Sequence, residues 1–210
     1  MSRLPTHRLH AIVDVQVAAR AGWDPADLAR AFLDGGSRVV QLRAKDWPSG
    51  RCLELADRLS ALAASYSALV IVNDRVDVAK MSNAGGVHVG QDDLPPSVAR
   101  TQLGPDAVVG FSTHSIPQVE AAFREPVSYV AVGPVFGTST KDTGYDAVGL
   151  DLVREASRRA RAMPIVAIGG VTLDNARSAI DAGAAAVAVI SDLLAGDPSE
   201  RVKAFLRVLE

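Results

Sequence analysis

Cysteine is almost missing from this chain of 210 residues. Cys52 stands alone, so no internal disulfide can form, and its neighbours place it on a helix face as a buried thiol. Charge of one sign is equally scarce. The formal net charge is -2, which excludes a general attraction to nucleic acid or to an anionic membrane surface. Long hydrophobic runs are absent too, since no stretch approaches the ~20 apolar residues of a membrane span. Between Met1 and Val17 the apolar residues are broken by Arg8, His10 and Asp14, which leaves no signal-peptide core. A soluble, cytoplasmic protein is the expectation. No low-complexity linker or charge run divides the sequence, and it reads as a single domain over 1–210. At this length folding can bury roughly 70% of the unfolded chain's surface without a covalent staple.

What the sequence does contain is repetition. Short runs rich in Val and Ile recur at 9–14, 38–44, 69–73, 86–90, 108–112, 129–133, 165–168 and 186–191. Helical patterns follow at 25–34, 50–65, 76–82, 97–103, 116–123, 149–162, 173–182 and 199–208. Pro25 after Asp24 opens one helix, and Gly35, Gly104 and Gly183 follow the ends of others. Eight strand–helix pairs are the count of a (β/α)8 TIM barrel, and the runs are apolar enough for parallel strands covered by helices. A doubly wound sheet is the alternative α/β architecture, with fewer strands usual at this length.

One stretch sets the chemistry. In an extended strand Gln41, Arg43 and Lys45 share one face while Val40, Leu42 and Ala44 share the other. An amide and two cations in a row need an anion if that face is turned inward, and a diphosphate suits them. An edge strand with one solvated face is the plainer reading.

In a barrel, active sites sit at the C-terminal ends of the strands. Those ends carry Asn73-Asp74-Arg75, Gly90-Gln91-Asp92-Asp93, Ser112-Thr113-His114, Thr138-Ser139-Thr140-Lys141, Gly169-Gly170 and Ile190-Ser191. Gly169 and Gly170 would let an anion approach the backbone closely, and Ile190 and Ser191 precede a potential helical turn, which together read as a phosphate site. Asp74 and Asp93 are the metal candidates, because magnesium takes one or two carboxylates and completes its shell with water and substrate phosphate. Against this, Asp74 can pair with Arg75 or cap a helix, and Asp92 reads as a solvated loop charge. The connection from Gly137 to Val148 is long enough to close as a lid, bringing Thr138, Thr140 and Lys141 to phosphate oxygens. His88, in mid-strand, reads as a satisfied interior group, and His114 as a mouth residue with no nucleophile beside it.

Together the segments Val40-Gln41-Leu42-Arg43-Ala44-Lys45, Val72-Asn73-Asp74-Arg75, Gly86-Val87-His88-Val89-Gly90-Gln91-Asp92-Asp93, Gly133-Pro134-Val135-Phe136 with Thr138-Ser139-Thr140-Lys141, and Ala167-Ile168-Gly169-Gly170 resemble the thiamine-phosphate synthase family. The resemblance runs in order from about residue 9 to residue 193. It implies a Mg²⁺-dependent transferase that joins a pyrimidine diphosphate to a thiazole phosphate and releases pyrophosphate. On that basis Gln41, Arg43, Lys45, Asn73, Ser112 and Lys141 would hold the pyrimidine diphosphate, with Arg43, Lys45 and Lys141 catalytic. Asp74 and Asp93 would bind Mg²⁺. Thr138, Thr140, Gly170, Ile190 and Ser191 would hold the thiazole phosphate. Small phosphorylated molecules are the partners implied, with neither nucleic acid nor membrane, and self-association is left open.

Gly137 stands where the family often has Pro, and Ser115 after His114 also occurs in a sister family of thiazole tautomerases. Those sisters typically lose the Gln-x-Arg-x-Lys and Asn-Asp ligands that this chain keeps. An isomerase using His114, or a non-catalytic phosphometabolite binder, is the rival expectation.

Overall fold

The computed structural model describes residues 7–137 and 146–210. Eight strands pair in parallel in chain order: β1 (Leu9–Asp14), β2 (Val39–Arg43), β3 (Leu69–Asn73), β4 (Gly86–Val89), β5 (Val108–Thr113), β6 (Tyr129–Val132), β7 (Ile165–Ile168) and β8 (Ala186–Val189). β8 returns to β1 through the register Leu9↔Val187 to Ala11↔Val189 and closes the barrel. Around it lie α1 (Val15–Arg20), α2 (Pro25–Asp34), α3 (Ser49–Ala64), α4 (Val76–Met81), α5 (Pro96–Leu103), α6 (Ile116–Ala122), α7 (Gly149–Arg159), α8 (Ala176–Asp181) and α9 (Pro198–Leu209), with a 3₁₀ turn, Ser191–Leu194, after β8. This is the (β/α)8 barrel expected from the strand count. Among the described residues no helix is long and apolar enough to cross a membrane.

Strand alternation divides the core in two. Leu9, Ala11, Val13, Val40, Leu42, Val70, Val72, Val87, Val89, Val187 and Val189 face outward and pack against the helices. Ile12, Val39, Ile71, Val108, Tyr129, Ala131, Val166, Ala186 and Ala188 fill the barrel itself. Because successive side chains alternate, the inner set also carries His10 and Asp14 on β1, Gln41 and Arg43 on β2, Asn73 on β3, His88 on β4 and Ser112 on β5. Glycine makes room where the inner side chains are large. A Cβ at Gly110 would lie 2.2 Å from Tyr129 Cζ and 2.5 Å from His88 Nδ1, so only glycine admits both rings.

The element boundaries have local causes. Asp24 caps α2 by accepting from the Ala26 and Asp27 amides, with Pro25 at its first turn, and Asp197 with Pro198 opens α9 in the same way. α1 is the element that sequence patterning missed. It follows β1 with no loop between them, and the helix is held by Asp14, whose side chain accepts from the Gln16 and Val17 amides. α8 starts later than expected, at Ala176 rather than 173, because the Asn175 side chain accepts from the Thr172 amide and holds those residues in a turn.

Candidate active site

β2 delivers its cation and amide inward. Gln41 is 4% exposed, and the Arg43 guanidinium is held by the carboxylate of Asp14, with which it is in register across the β1–β2 pair. The two side chains are 13% and 3% exposed, so this is a largely desolvated ion pair rather than a surface one. Asp14 uses both oxygens: Oδ2 takes Arg43 and Oδ1 caps α1 at 3.0 Å from the Gln16 and Val17 amides. The solvated-face reading of β2 is excluded by that burial. The strand ends at Arg43, and Lys45 lies in the turn that follows, exposed at the same end.

Asn73 ends β3, in register with His88. Asp74 follows in the left-handed region, φ 65°, with its amide donating to the His88 carbonyl at 2.7 Å. A non-glycine residue held there marks a position whose geometry the surroundings determine. Arg75 is engaged by Asp77, at 2.5 and 2.8 Å, and by Ser49 Oγ at 2.9 Å, and it is Arg75 that occupies the α4 cap position. The Asp77 carboxyl is held below the usual range chiefly by that hydrogen bond. Asp93 turns back toward its strand, Oδ2 accepting from the Gly90 amide at 2.7 Å, while Asp92 is exposed.

His88 is a satisfied interior group. Nδ1 shares a hydrogen bond of 2.9 Å with the Tyr129 hydroxyl and Nε2 one of 2.8 Å with Ser112 Oγ. Burial pushes the Tyr129 phenol well above its usual range, so it stays protonated. The tautomer in which Tyr129 donates to Nδ1 directs Nε2–H at Ser112 Oγ. His114 Nδ1 donates to the Gly133 carbonyl, and its amide donates to Gln118 Oε1 at 2.7 Å.

The glycine pair and the 3₁₀ turn stand at the ends of β7 and β8. Gly169 and Gly170 have φ 95° and 64°. What comes closest to Gly170 is backbone: a Cβ there would stand 2.4 Å from the Gly137 carbonyl oxygen and 2.8 Å from Phe136 C. Its lack of a side chain therefore seats the connection after β6 as much as it opens the site to a ligand. Gly170→Ala should cost about 1–2 kcal/mol from the left-handed strain alone, with a further penalty from the contact. A lower urea midpoint at unchanged slope is the expected measurement. Ile190 caps the 3₁₀ turn, with φ -113° and ψ -87°, and Ser191 begins it, exposed at the C-terminal end of β8.

Arg43, Lys45, Asn73, Asp74, Asp93, Ser112, Gly170, Ile190 and Ser191 thus belong to the C-terminal ends of strands or the turns just after them, with Gln41 two residues further in on β2. Thr138, Thr140 and Lys141 lie outside the described residues. Asp14 escaped sequence reasoning, although the rule that found the others, reading the last residue of each strand, applies to β1 as well. The donors available for a metal are the two aspartate carboxylates after β3 and β4, a hard-oxygen set that fits magnesium.

A closed (β/α)8 barrel carrying cations, carboxylates and glycine-lined backbone at this one end is an enzyme built for small phosphorylated substrates. A family model described as thiamine monophosphate synthase matches residues 9–193. The chain belongs to the thiamine monophosphate synthase family. It is 42% identical to a thiamine-phosphate synthase from Koribacter versatilis, over 99% of this chain and 98% of that one. To a thiamine-phosphate synthase from Anaeromyxobacter dehalogenans it is 45% identical, over 84% and 79%. Among solved structures, a thiamine phosphate pyrophosphorylase from Pyrococcus furiosus superposes with a TM-score of 0.86 at 30% identity, covering 97% of this chain and 96% of that one.

Proposed function

We propose that this enzyme condenses 4-amino-2-methyl-5-(diphosphooxymethyl)pyrimidine with hydroxyethylthiazole phosphate, or its carboxylated form, to give thiamine phosphate and pyrophosphate. The observation that carries the proposal is the Arg43 guanidinium, largely shielded on the inner face of β2 beside Gln41 at the end where Asp74 and Asp93 also lie. In this reading the C–O bond to the diphosphate breaks first or nearly so. The thiazole nitrogen then captures the pyrimidinylmethyl cation. That nitrogen carries no proton to remove, so no general base is needed, which accords with a His88 already engaged on both ring nitrogens.

Arg43, Lys45 and Lys141 would stabilise the charge that grows on the departing pyrophosphate, with Gln41, Asn73 and Ser112 orienting the same substrate. Thr138, Thr140, Gly170, Ile190 and Ser191 would hold the phosphate of the thiazole. Asp74 and Asp93 would hold Mg²⁺, which when bound neutralises diphosphate charge.

Mixing both substrates with Mg²⁺ and assaying pyrophosphate tests the reaction. No pyrophosphate, with the thiazole isomerised instead, would transfer the chemistry to His114. Asp93→Ala should raise the Mg²⁺ concentration for half-maximal rate by roughly tenfold, the scale on which groups around a metal act. A metal titration superimposable on that of the wild type would remove Asp93 from the site.

A further inference from the structure

Within the described residues, the proposed thiazole-phosphate site is backbone from two separate turns, one after β7 and one after β8. Something must hold those turns in fixed relation, because a backbone cradle misplaced by an ångström loses its anion. One side chain spans them. Asp192 Oδ2 accepts from the Leu173 amide at 3.0 Å, and so ties the second turn to the first. The same oxygen accepts from Arg201 Nη2 at 2.7 Å and Nε at 3.1 Å, and Nε also reaches the Asp192 carbonyl at 3.1 Å. Asp192 and Arg201 are 16% and 25% exposed, so the pair is well shielded.

Arg201 sits on a firm base. α9 is packed against α2 so tightly that a Cβ on Gly35 would come within 2.6 Å of the Ser199 carbonyl oxygen. The first turn has its own brace: Asn175 Oδ1 accepts from the Thr172 amide at 2.8 Å, and Nδ2 donates to the Gly170 carbonyl at 3.0 Å. A carboxylate next to an anion site is otherwise a liability. Here the guanidinium cancels its charge, so the carboxylate can serve as a hydrogen-bond acceptor without repelling a phosphate.

We propose that Asp192, charge-balanced by Arg201, is a positioning residue that clamps the β7 and β8 turns together and so sets affinity for the phosphate of the thiazole substrate. This rests on the proposed function, and it assigns Asp192 no contact with the reacting atoms.

The test is calorimetric binding of hydroxyethylthiazole phosphate, alongside steady-state kinetics, for wild type, Asp192→Ala and Asp192→Asn. In Asp192→Ala the dissociation constant and KM for the thiazole phosphate should rise roughly tenfold, the loss expected for one misplaced hydrogen-bonded cradle. KM for the pyrimidine diphosphate and kcat at saturation should stay within about twofold. Asp192→Asn, which keeps an acceptor oxygen for the Leu173 amide, should recover most of the affinity. Equal rises in both KM values, or a lowered urea midpoint with unchanged thiazole-phosphate affinity, would reduce Asp192 to a structural residue and overturn the proposal. Thiazole-phosphate binding by the wild type without pyrophosphate release would instead sink the condensation reading, and the clamp would still be judged by the binding constants.

Discussion

Arg43→Ala is expected to lower pyrophosphate release by roughly 10²–10³, the scale for removing one preorganised donor from developing charge. It should also destabilise the fold, because Asp14 is left buried without its counter-ion. Breaking a fully buried pair costs about 3–5 kcal/mol, and the partial exposure of the guanidinium brings the expectation to roughly 2–3 kcal/mol. The two losses can be separated. In the double variant Asp14→Asn with Arg43→Ala the uncompensated charge is gone, while asparagine can still cap α1. Stability should therefore return, and turnover should not. The single change Asp14→Asn leaves Arg43 in place with a neutral partner, so its effect on rate should be smaller than that of Arg43→Ala. Recovery of turnover in the double variant would mean that Arg43 mattered only as Asp14's partner.

The second large effect concerns acid. His10 is buried on the inner face of β1, edge-on to Tyr129 with ring centroids 5.3 Å apart, and its Nε2 has no hydrogen-bond partner among the described residues. Burial first, and the charge of His7 second, depress its pKa from 6.5 to about 4. The folded protein therefore binds this proton more weakly than the unfolded chain does. Above pH 6.5 both states leave His10 neutral and there is no penalty. Between 6.5 and about 4 the unfolded chain takes up the proton first, so stability falls with falling pH. At about 1.4 kcal/mol per pH unit the loss reaches roughly 3 kcal/mol by the lower end. Urea unfolding at pH 7, 6, 5 and 4 should show this decline in the wild type. His10→Phe, which keeps a ring against Tyr129 and cannot titrate, should lose that much less. Parallel curves for the two proteins would show that His10 does not titrate with folding.

Much of this was legible one residue at a time. Gln41 and Arg43 could be assigned to one face because alternation in a strand is a local rule, and β2 obeys it. Asp24-Pro25 marked the start of α2 for the same kind of reason: a cap acts on amides two and three residues away. The Gly169-Gly170 pair could be read as a place of close approach, though what approaches Gly170 most closely, the backbone of Phe136 and Gly137, is more than thirty residues distant in sequence. Lys45 shows the limit of a local rule. It keeps the right parity, but the strand stops two residues earlier, and where a strand stops depends on its neighbours in the sheet.

The sequence by itself determined the barrel, since eight apolar runs with helices between them leave few ways to bury both faces of a parallel sheet. It also determined which residues stand at the C-terminal end of the barrel, because chain direction and the strand ends follow from the same pattern. Only the tertiary structure decided how those residues are held. Asp14 meets Arg43 across 29 positions and Asp192 meets Leu173 across 19, and His88 joins Tyr129 and Ser112 across 41 and 24. Each of these contacts depends on the register of neighbouring strands or on the placement of the turns that follow them. No window of sequence contains that information, because the atoms concerned come from separate strands and turns and become neighbours only when those strands pair.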